Sequence, residues 1–462
     1  MLHTRSRFAA AAVALVGLGA AVTGVVGVLP GAHATPVVGT YRFSGPDRYG
    51  TAELIGDYEA QGATSFAFGA PTHAVLASGD NFPDALSANF LAGAYGSPVF
   101  LTSAGGLSQE ALTGIQTLGV KSITIVGGPA AVSPTVDIAL TADGITVTRV
   151  SGPDRDGTAA AVAAAAASSI ASYKGQGLTA ILANDGTDPG DHYVDALSGG
   201  PMAWAGHFPI LLTPGASLDA ETQTALTSLN IKHVVVLGGS AAISGNVLTQ
   251  VEALGISVEV LAGADRQQTA IAIAAAEQAN LGFGDNQYNL AVGDNFPDAL
   301  SGGPLAGLQK APILLTSDPD DLSTDTANFL IANNSLVNEL FVYGGTDAIS
   351  AAVLDQATGE ATCASGVPGT TTSTVGATST TVASTSTTAA AVTTSTTAAS
   401  TTTTAPAVTT TSTPASTTTV ALPACSATTT TAPTTSTTAP STSTTAAPTS
   451  TTAAATTTST TL

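Results

Sequence analysis

Between Tyr41 and Ala357 the chain alternates short apolar runs with longer segments in which apolar residues return every three or four positions. The short runs end at glycine or threonine, as buried parallel strands do, and the longer segments have helical periodicity. Ala74–Ser78 stops at Gly79 and reads as a strand. Phe82-Pro83-Asp84 opens a helix reaching about Ala94, because proline suits the first helical turn and a carboxylate complements its positive dipole end. Val99–Thr102 is the next strand, and Leu107 to Leu118 is an amphipathic helix closed by Gly119, a residue suited to a left-handed cap. Ser122–Val126, Pro134–Ala142 and Ile145–Val150 follow as strand, helix and strand. The pattern predicts an α/β fold with right-handed crossovers and a parallel sheet covered on both faces.

The same order returns twice. Ser44-Gly45-Pro46-Asp47-Arg48 recurs as Ser151-Gly152-Pro153-Asp154-Arg155 and as Ala262-Gly263-Ala264-Asp265-Arg266, each followed by Thr-Ala. The block from Gly79 to Ser87 reappears almost letter for letter from Gly293 to Ser301, and its middle copy ends in the same Asp195-Ala196-Leu197-Ser198. Pro98 to Thr102 matches Pro209 to Thr213 and Pro312 to Thr316, and Gly127-Gly128 matches Gly238-Gly239 and Gly344-Gly345. Copies of roughly 110 residues can each bury a core, so the repeats are expected to behave as beads.

Composition separates the ends from this repeated region. Arg5 and Arg7, an apolar stretch from Phe8 to Val28 and Ala32-His33-Ala34 predict a signal peptide over 1–34, cut before Thr35, with a retained anchor as the rival. No other stretch is long and apolar enough to span a bilayer. Repeats are then expected over 35–148, 149–260 and 261–362. Residues 363–462 are rich in Thr, Ser, Ala and Pro, and no Asp, Glu, Lys or Arg follows Glu360. Such a tail is expected to be disordered, either as an O-glycosylated stalk or as an unmodified spacer. It ends without a sorting signal, which argues against covalent attachment to the wall. Cys363 and Cys425 are the two cysteines, expected either to pair or to stay as thiols. Without the leader, nine basic residues face 32 acidic ones, a net charge of −23. That acidity excludes nucleic acid as a partner and opposes anionic lipid.

Candidate chemistry gathers where strands end. The loops holding Asp80, Asn81 and Asp84, their counterparts Asp294, Asn295 and Asp298, and the Gly-Gly pairs all follow strand C-termini, the edge of a parallel sheet where ligands bind. Asp185-Gly186 stands as the middle counterpart of Asp80-Asn81, with extra residues before Asp195. Arg42, Arg48, Arg149, Arg155 and Arg266 lie in or just before the Gly-x-Asp-Arg starts, beside Asp47, Asp154 and Asp265. These arginines either contact phosphate or carboxylate groups of a polymer or pair with carboxylates such as Asp84 to lock the loops and the joints between repeats. The Asp80/Asp84 and Asp294/Asp298 pairs admit acid/base or metal chemistry, although Asp84 and Asp298 also fit as helix-start residues. No catalytic or metal-ligating arrangement of histidines, nucleophile elbow or Walker loop is present, so no catalytic residue, cofactor or metal is expected.

The Gly-x-Asp-Arg-x-x-Thr-Ala start, the Gly79–Ser87 block, the Pro98–Thr102 strand and the Gly-Gly strand end together resemble the cell wall-binding repeat 2 family. The resemblance covers about Tyr41 to Ala357. It implies three Rossmann-like modules closed into a pseudo-threefold ring. It also implies a secreted protein of the Gram-positive cell surface, anchored without a covalent link through an anionic wall polymer or a peptidoglycan-associated glycan. The expected function is therefore a non-catalytic anchor presenting a stalk, with a wall-glycan hydrolase and an unanchored structural surface protein as alternatives. The middle copy departs from the family block between Asn184 and Tyr193, which marks its site as altered or silent.

Overall fold

The computed structural model describes residues 38–63, 71–189, 192–294 and 297–362. The leader, Asn295, the tail and both cysteines lie outside the described residues.

The predicted order of strands and helices forms within a residue or two of its expected ends. The first copy supplies β1 (Gly39–Phe43), α1 (Arg48–Ala63), β2 (His73–Ser78), α2 (Pro83–Tyr95), β3 (Val99–Thr102), α3 (Gln109–Thr117), β4 (Ser122–Val126), α4 (Pro134–Ala142) and β5 (Thr146–Val150). The second supplies α5 (Arg155–Ala165), β6 (Thr179–Asn184), α6 (Gly200–Gly206), β7 (Ile210–Thr213), α7 (Ala220–Ser228), β8 (His233–Leu237), α8 (Gly245–Ala253) and β9 (Ser257–Leu261). The third supplies α9 (Arg266–Leu281), β10 (Gln287–Val292), α10 (Pro297–Gln309), β11 (Ile313–Thr316), α11 (Thr324–Asn333), β12 (Glu339–Tyr343) and α12 (Ala351–Thr362). Proline opens α2 and α4, and Ser108, whose side chain accepts the Ala111 N–H, caps α3. In the middle copy the counterpart of α2 is split, a 3-10 helix over His192–Gly199 leading into the short α6.

Three four-stranded parallel sheets result, ordered β3-β2-β4-β5, β7-β6-β8-β9 and β11-β10-β12-β1. The strand ahead of each Gly-x-Asp-Arg start therefore belongs to the preceding module. The first strand of the described chain supplies the one that the third copy lacks, with Gly39 opposite Glu339 and Phe43 opposite Tyr343. That exchange closes a pseudo-threefold ring, and it covers the edge that β12 would otherwise expose. The order reverses between β2 and β4, and equivalently between β6 and β8 and between β10 and β12.

The expectation of separate beads fails at the centre. One hydrophobic core runs through all three modules, joining Phe90, Leu91, Leu197, Met202, Leu300 and Leu305. Helices α2, α6 and α10 pack against one another there, and α2 is apolar on nearly every face, the signature of a helix with no solvent side. Each large side chain buried in such a core contributes about 1.5–3 kcal/mol. Smaller cores lie behind the first and third sheets, around Phe100 and Ile125 and around Leu314 and Leu340.

Candidate functional site

The three switch points are built to one plan. Just past β2, β6 and β10, the N–H groups of Gly79, Asp185 and Gly293 donate to the carbonyls of Thr102, Thr213 and Thr316 at 2.8, 3.0 and 3.0 Å. Register therefore makes Asp185 the counterpart of Gly79, which corrects its assignment as the middle copy of Asp80. The carbonyls of these same residues accept Nη1 of Arg48, Arg155 and Arg266 at 2.6, 2.6 and 2.5 Å. Each arginine starts α1, α5 or α9, and the aspartate before it caps that helix. Asp47 accepts from Tyr49 and Gly50, Asp154 from Gly157, and Asp265 from Gln268. The threonine of Thr-Ala completes the start by accepting the N–H of Gly45, Gly152 or Gly263 at 3.3, 3.0 and 3.0 Å. Those glycines are required by crowding, because a Cβ on Gly152 would lie 2.1 Å from the Gly157 carbonyl carbon.

These three arginines thus each hold a main-chain carbonyl. Arg42 and Arg149 act likewise. Arg42 reaches the Gly344 and Gly345 carbonyls at 3.0 and 2.9 Å, and Arg149 reaches that of Gly127 at 2.7 Å while pairing with Asp137. Charge still connects neighbouring modules. Burial raises Asp84 in the first copy and Asp298 in the third, and this is opposed by Arg155 of the second copy at Asp84 and by the Thr51 side chain and Arg48 of the first copy at Asp298.

Asp84, Asp195 and Asp298 all sit against the first glycine of a Gly-Gly pair. A Cβ on Gly127, Gly238 or Gly344 would lie 2.5, 2.7 or 2.4 Å from a carboxylate oxygen, and each glycine has a positive φ, between 99° and 118°. Burial pushes Asp84 up to about 6 despite Arg155, and it raises Asp298 as well. Asp80 moves the other way, lowered by the Tyr49 hydroxyl at 2.5 Å and by the Ala104 N–H at 2.8 Å. The Asp80/Asp84 pair is therefore split, with one carboxylate below its ordinary range and the other pushed above it.

In the middle module the residue that takes over from Asp80 is Asp188, missed in the sequence. Its carboxylate accepts the N–H of Gly215, two residues past Thr213, just as Asp80 accepts from Ala104, two residues past Thr102. The insertion after Asn184 restores the contact from a different chain position. The signal was available as an aspartate inside the insertion, but only strand register shows which N–H it meets.

Between the first and second modules these groups line one cleft of ≈ 380 Å³. Asp80, Asn81 and Asp84 of the first copy line it together with Gly128 and with Asp154 and Arg155. Asn81 is exposed and accepts the Phe82 N–H at 3.0 Å. Phe82 stacks on Tyr193 of the second module with ring centres 3.8 Å apart, and the Arg155 guanidinium lies 5.9 Å from the Phe82 ring centre. The cleft offers guanidinium N–H groups and helix N-termini beside acidic side chains. Asp294 is exposed at the matching position of the third module. Among the described residues no group of three His, Cys, Asp or Glu side chains is placed to hold a metal ion, and no helix is long and apolar enough to cross a membrane.

The family described as Cell wall binding domain 2 (CWB2) matches residues 42–137, 149–248 and 260–354. The N-acetylmuramoyl-L-alanine amidase LytC of Bacillus subtilis (strain 168) is 29% identical over 317 residues, which are 68% of this chain and 57% of that protein. The Amidase enhancer of the same organism is 27% identical over 314 residues, 68% of this chain and 39% of that protein. The chain thus spans little more than half of one relative and well under half of the other. Among solved structures, Cwp6 from Clostridium difficile superposes with a TM-score of 0.58 at 22% identity, over 70% of this chain and 48% of Cwp6. Cwp8 from the same organism gives 0.56 at 24% identity, over 70% of this chain and 51% of Cwp8. These two likenesses speak for the fold.

Proposed function

The chain belongs to the Cell wall binding domain 2 family, and from that premise we propose that it is a non-catalytic protein of the bacterial surface, held on the wall without a covalent bond. The observation that carries this reading is the family match on all three modules, over residues 42–137, 149–248 and 260–354. In this reading the clefts at the switch points bind an anionic wall polymer. Arg155 has N–H donors beyond the one spent on the Asp185 carbonyl, and the starts of α2, α4 and α5 add positive dipole ends near the same cleft. Repetition supports binding more than catalysis, since each further contact along a polymer becomes intramolecular and raises retention. The Thr/Ser-rich tail is then the stalk that this anchor presents, O-glycosylated or extended.

Fractionation of the producing cells tests the anchor. The protein should be in the wall fraction and leave it in high salt or chaotrope without proteolysis. Recovery from culture medium alone would overturn the anchoring role, and clearing of a murein suspension by residues 35–362 would replace it with a hydrolase.

A further inference from the structure

The three joints between modules share one plan and differ in one buried residue. Helix α1 of the first module packs on α10 of the third, α9 of the third packs on α6 and the 3-10 segment of the second, and α5 of the second packs on α2 of the first. At the same distance past the arginines that start α1, α9 and α5 stand Glu59, Glu277 and Ala166, all three buried. The Leu305 N–H faces the Glu59 carboxyl, and the main chain of Met202 faces that of Glu277. Leu305 and Met202 are themselves equivalent, and each follows a proline, Pro304 or Pro201, that offers its helix no N–H. The third joint has Phe90 where the others have proline and Ala166 where they have glutamate.

No basic side chain compensates either glutamate. Glu59 Oε1 and both carboxyl oxygens of Glu277 form no hydrogen bond among the described residues. The charged groups on the elements around them are engaged elsewhere. Near Glu59, Arg42 on β1 holds the Gly344 and Gly345 carbonyls, and Glu110 on α3 acts on Glu53. Lys310 and His207 line the axial cavity beside Glu59, and Lys310 holds the Leu281 carbonyl at 3.3 Å. The buried Tyr343 phenol on β12 does face Glu59, and its own pKa is raised by burial and by that carboxyl. Near Glu277, Asp195 sits against Gly238, Asp325 on α11 accepts from Gln268, and Glu259 on β9 pairs with Lys174. Burial therefore drives both carboxyls well above their ordinary range, and the closed ring favours their uncharged form.

We propose that the third module hinges away from the other two when Glu59 and Glu277 lose their protons, while the joint with Ala166 stays closed. The two glutamates lie on either side of that one module, at α10 and at α9, so ionising them acts on both of its joints. The first and second modules remain joined by α2 and α5 and by the stack of Phe82 on Tyr193. The direction follows from linkage. A carboxyl freed in the open ring returns toward the ordinary value of 4.5, so the closed ring is favoured most below that pH. Above it, each pH unit favours the open ring about tenfold per carboxyl, about a hundredfold for the pair, until the closed form ionises as well. The proposal does not depend on how the switch-point edge engages the wall.

Trp204, the chain's sole tryptophan, lies on α6 with its ring against Gly307 of α10, where a Cβ would come within 2.9 Å. Its fluorescence therefore reports whether the third module is in place. Full-length protein taken from pH 7.5 to 9.5, above the values of about 6 and about 7 for Asp84 and Asp156, should show a reversible red shift and a gain in acrylamide quenching. Far-UV circular dichroism should stay unchanged. Glu59→Gln with Glu277→Gln keeps the size of both side chains and should abolish the change. Either substitution alone should halve its steepness in pH, and serves where the double variant does not fold. The proposal is overturned by an indole that stays shielded throughout, by an unchanged transition in the double variant, or by loss of helical signal in step with the shift, which would mean that the modules themselves melt.

Discussion

The switch-point edge and the axis answer threefold repetition in opposite ways. At the edge, Gly79, Asp185 and Gly293 each offer a carbonyl to an arginine that starts a helix, and similar residues recur because the three positions lie far apart and do not compete. On the axis, equivalent positions converge, and one side chain fills the room that three would need. There the equivalents are Asn89, Gly200 and Gly303. A Cβ on Gly303 would lie 2.1 Å from Asn89 Oδ1 and 3.2 Å from Gly200 Cα. A ring of repeats thus favours sameness at its periphery and requires difference at its centre.

The largest test of this contrast is made at the axis. Gly303→Ala should cost about 2–3 kcal/mol through overpacking, net of the better helix propensity of alanine, and should lower the urea midpoint accordingly. Asn89→Gly in the same chain should recover part of that loss, a coupling read from a double-mutant cycle. If the two losses simply add, crowding at the axis does not explain the asymmetry.

Sameness at the edge also breaks at the residue after each helix-starting arginine. Tyr49, Asp156 and Gln267 are equivalent, yet Tyr49 bonds Asp80 and Gln267 bonds the Thr316 carbonyl, while Asp156 Oδ1 is buried without a partner. Burial, with Asp185, Asp219 and Asp154 nearby, raises Asp156 from 3.8 to about 7. A carboxyl that binds its proton more tightly when folded stabilises fully below its unfolded pKa, and that contribution is lost as pH rises through the folded one. Stability should therefore fall between pH 3.8 and about 7. Asp156→Asn should flatten this slope and add about 2 kcal/mol at pH 7.5. Chemical denaturation across that range checks both the slope and its removal.

Arg155→Ala probes the shared part of the edge. Losing the bond to the Asp185 carbonyl and the face of Phe82 should cost about 1–2 kcal/mol. Removing its charge should also raise Asp84 further above about 6, visible in an NMR titration of the carboxyl carbons. An unmoved Asp84 would show that the modules are not linked through this pair.

The smallest expected effect separates two aspartates of the middle module. Asp188→Ala breaks the contact to the Gly215 N–H and should cost about 1 kcal/mol, and in the proposed anchor it should lower the salt needed for release as much as Asp80→Ala does. Asp185 uses its carboxylate locally, on Thr187, so Asp185→Ala should change release less. Equal release by both variants would return Asp185 to the role that its place in the sequence had given it.

By itself the sequence determined the strands, helices and repeats, because periodicity, proline at helix starts and glycine at helix ends are local properties. It also placed Asp47, Arg48, Asp80 and Asp84 on one edge, since strand ends follow from strand order. Three things were decided only in the tertiary structure. β1 joins the third sheet, which a pairing across the whole length of the chain creates and local pattern cannot express. The arginines choose carbonyls, because main-chain acceptors leave no mark in side-chain letters. Asp188 stands in for Asp80, which depends on a distance between residues that sequence spacing does not relate.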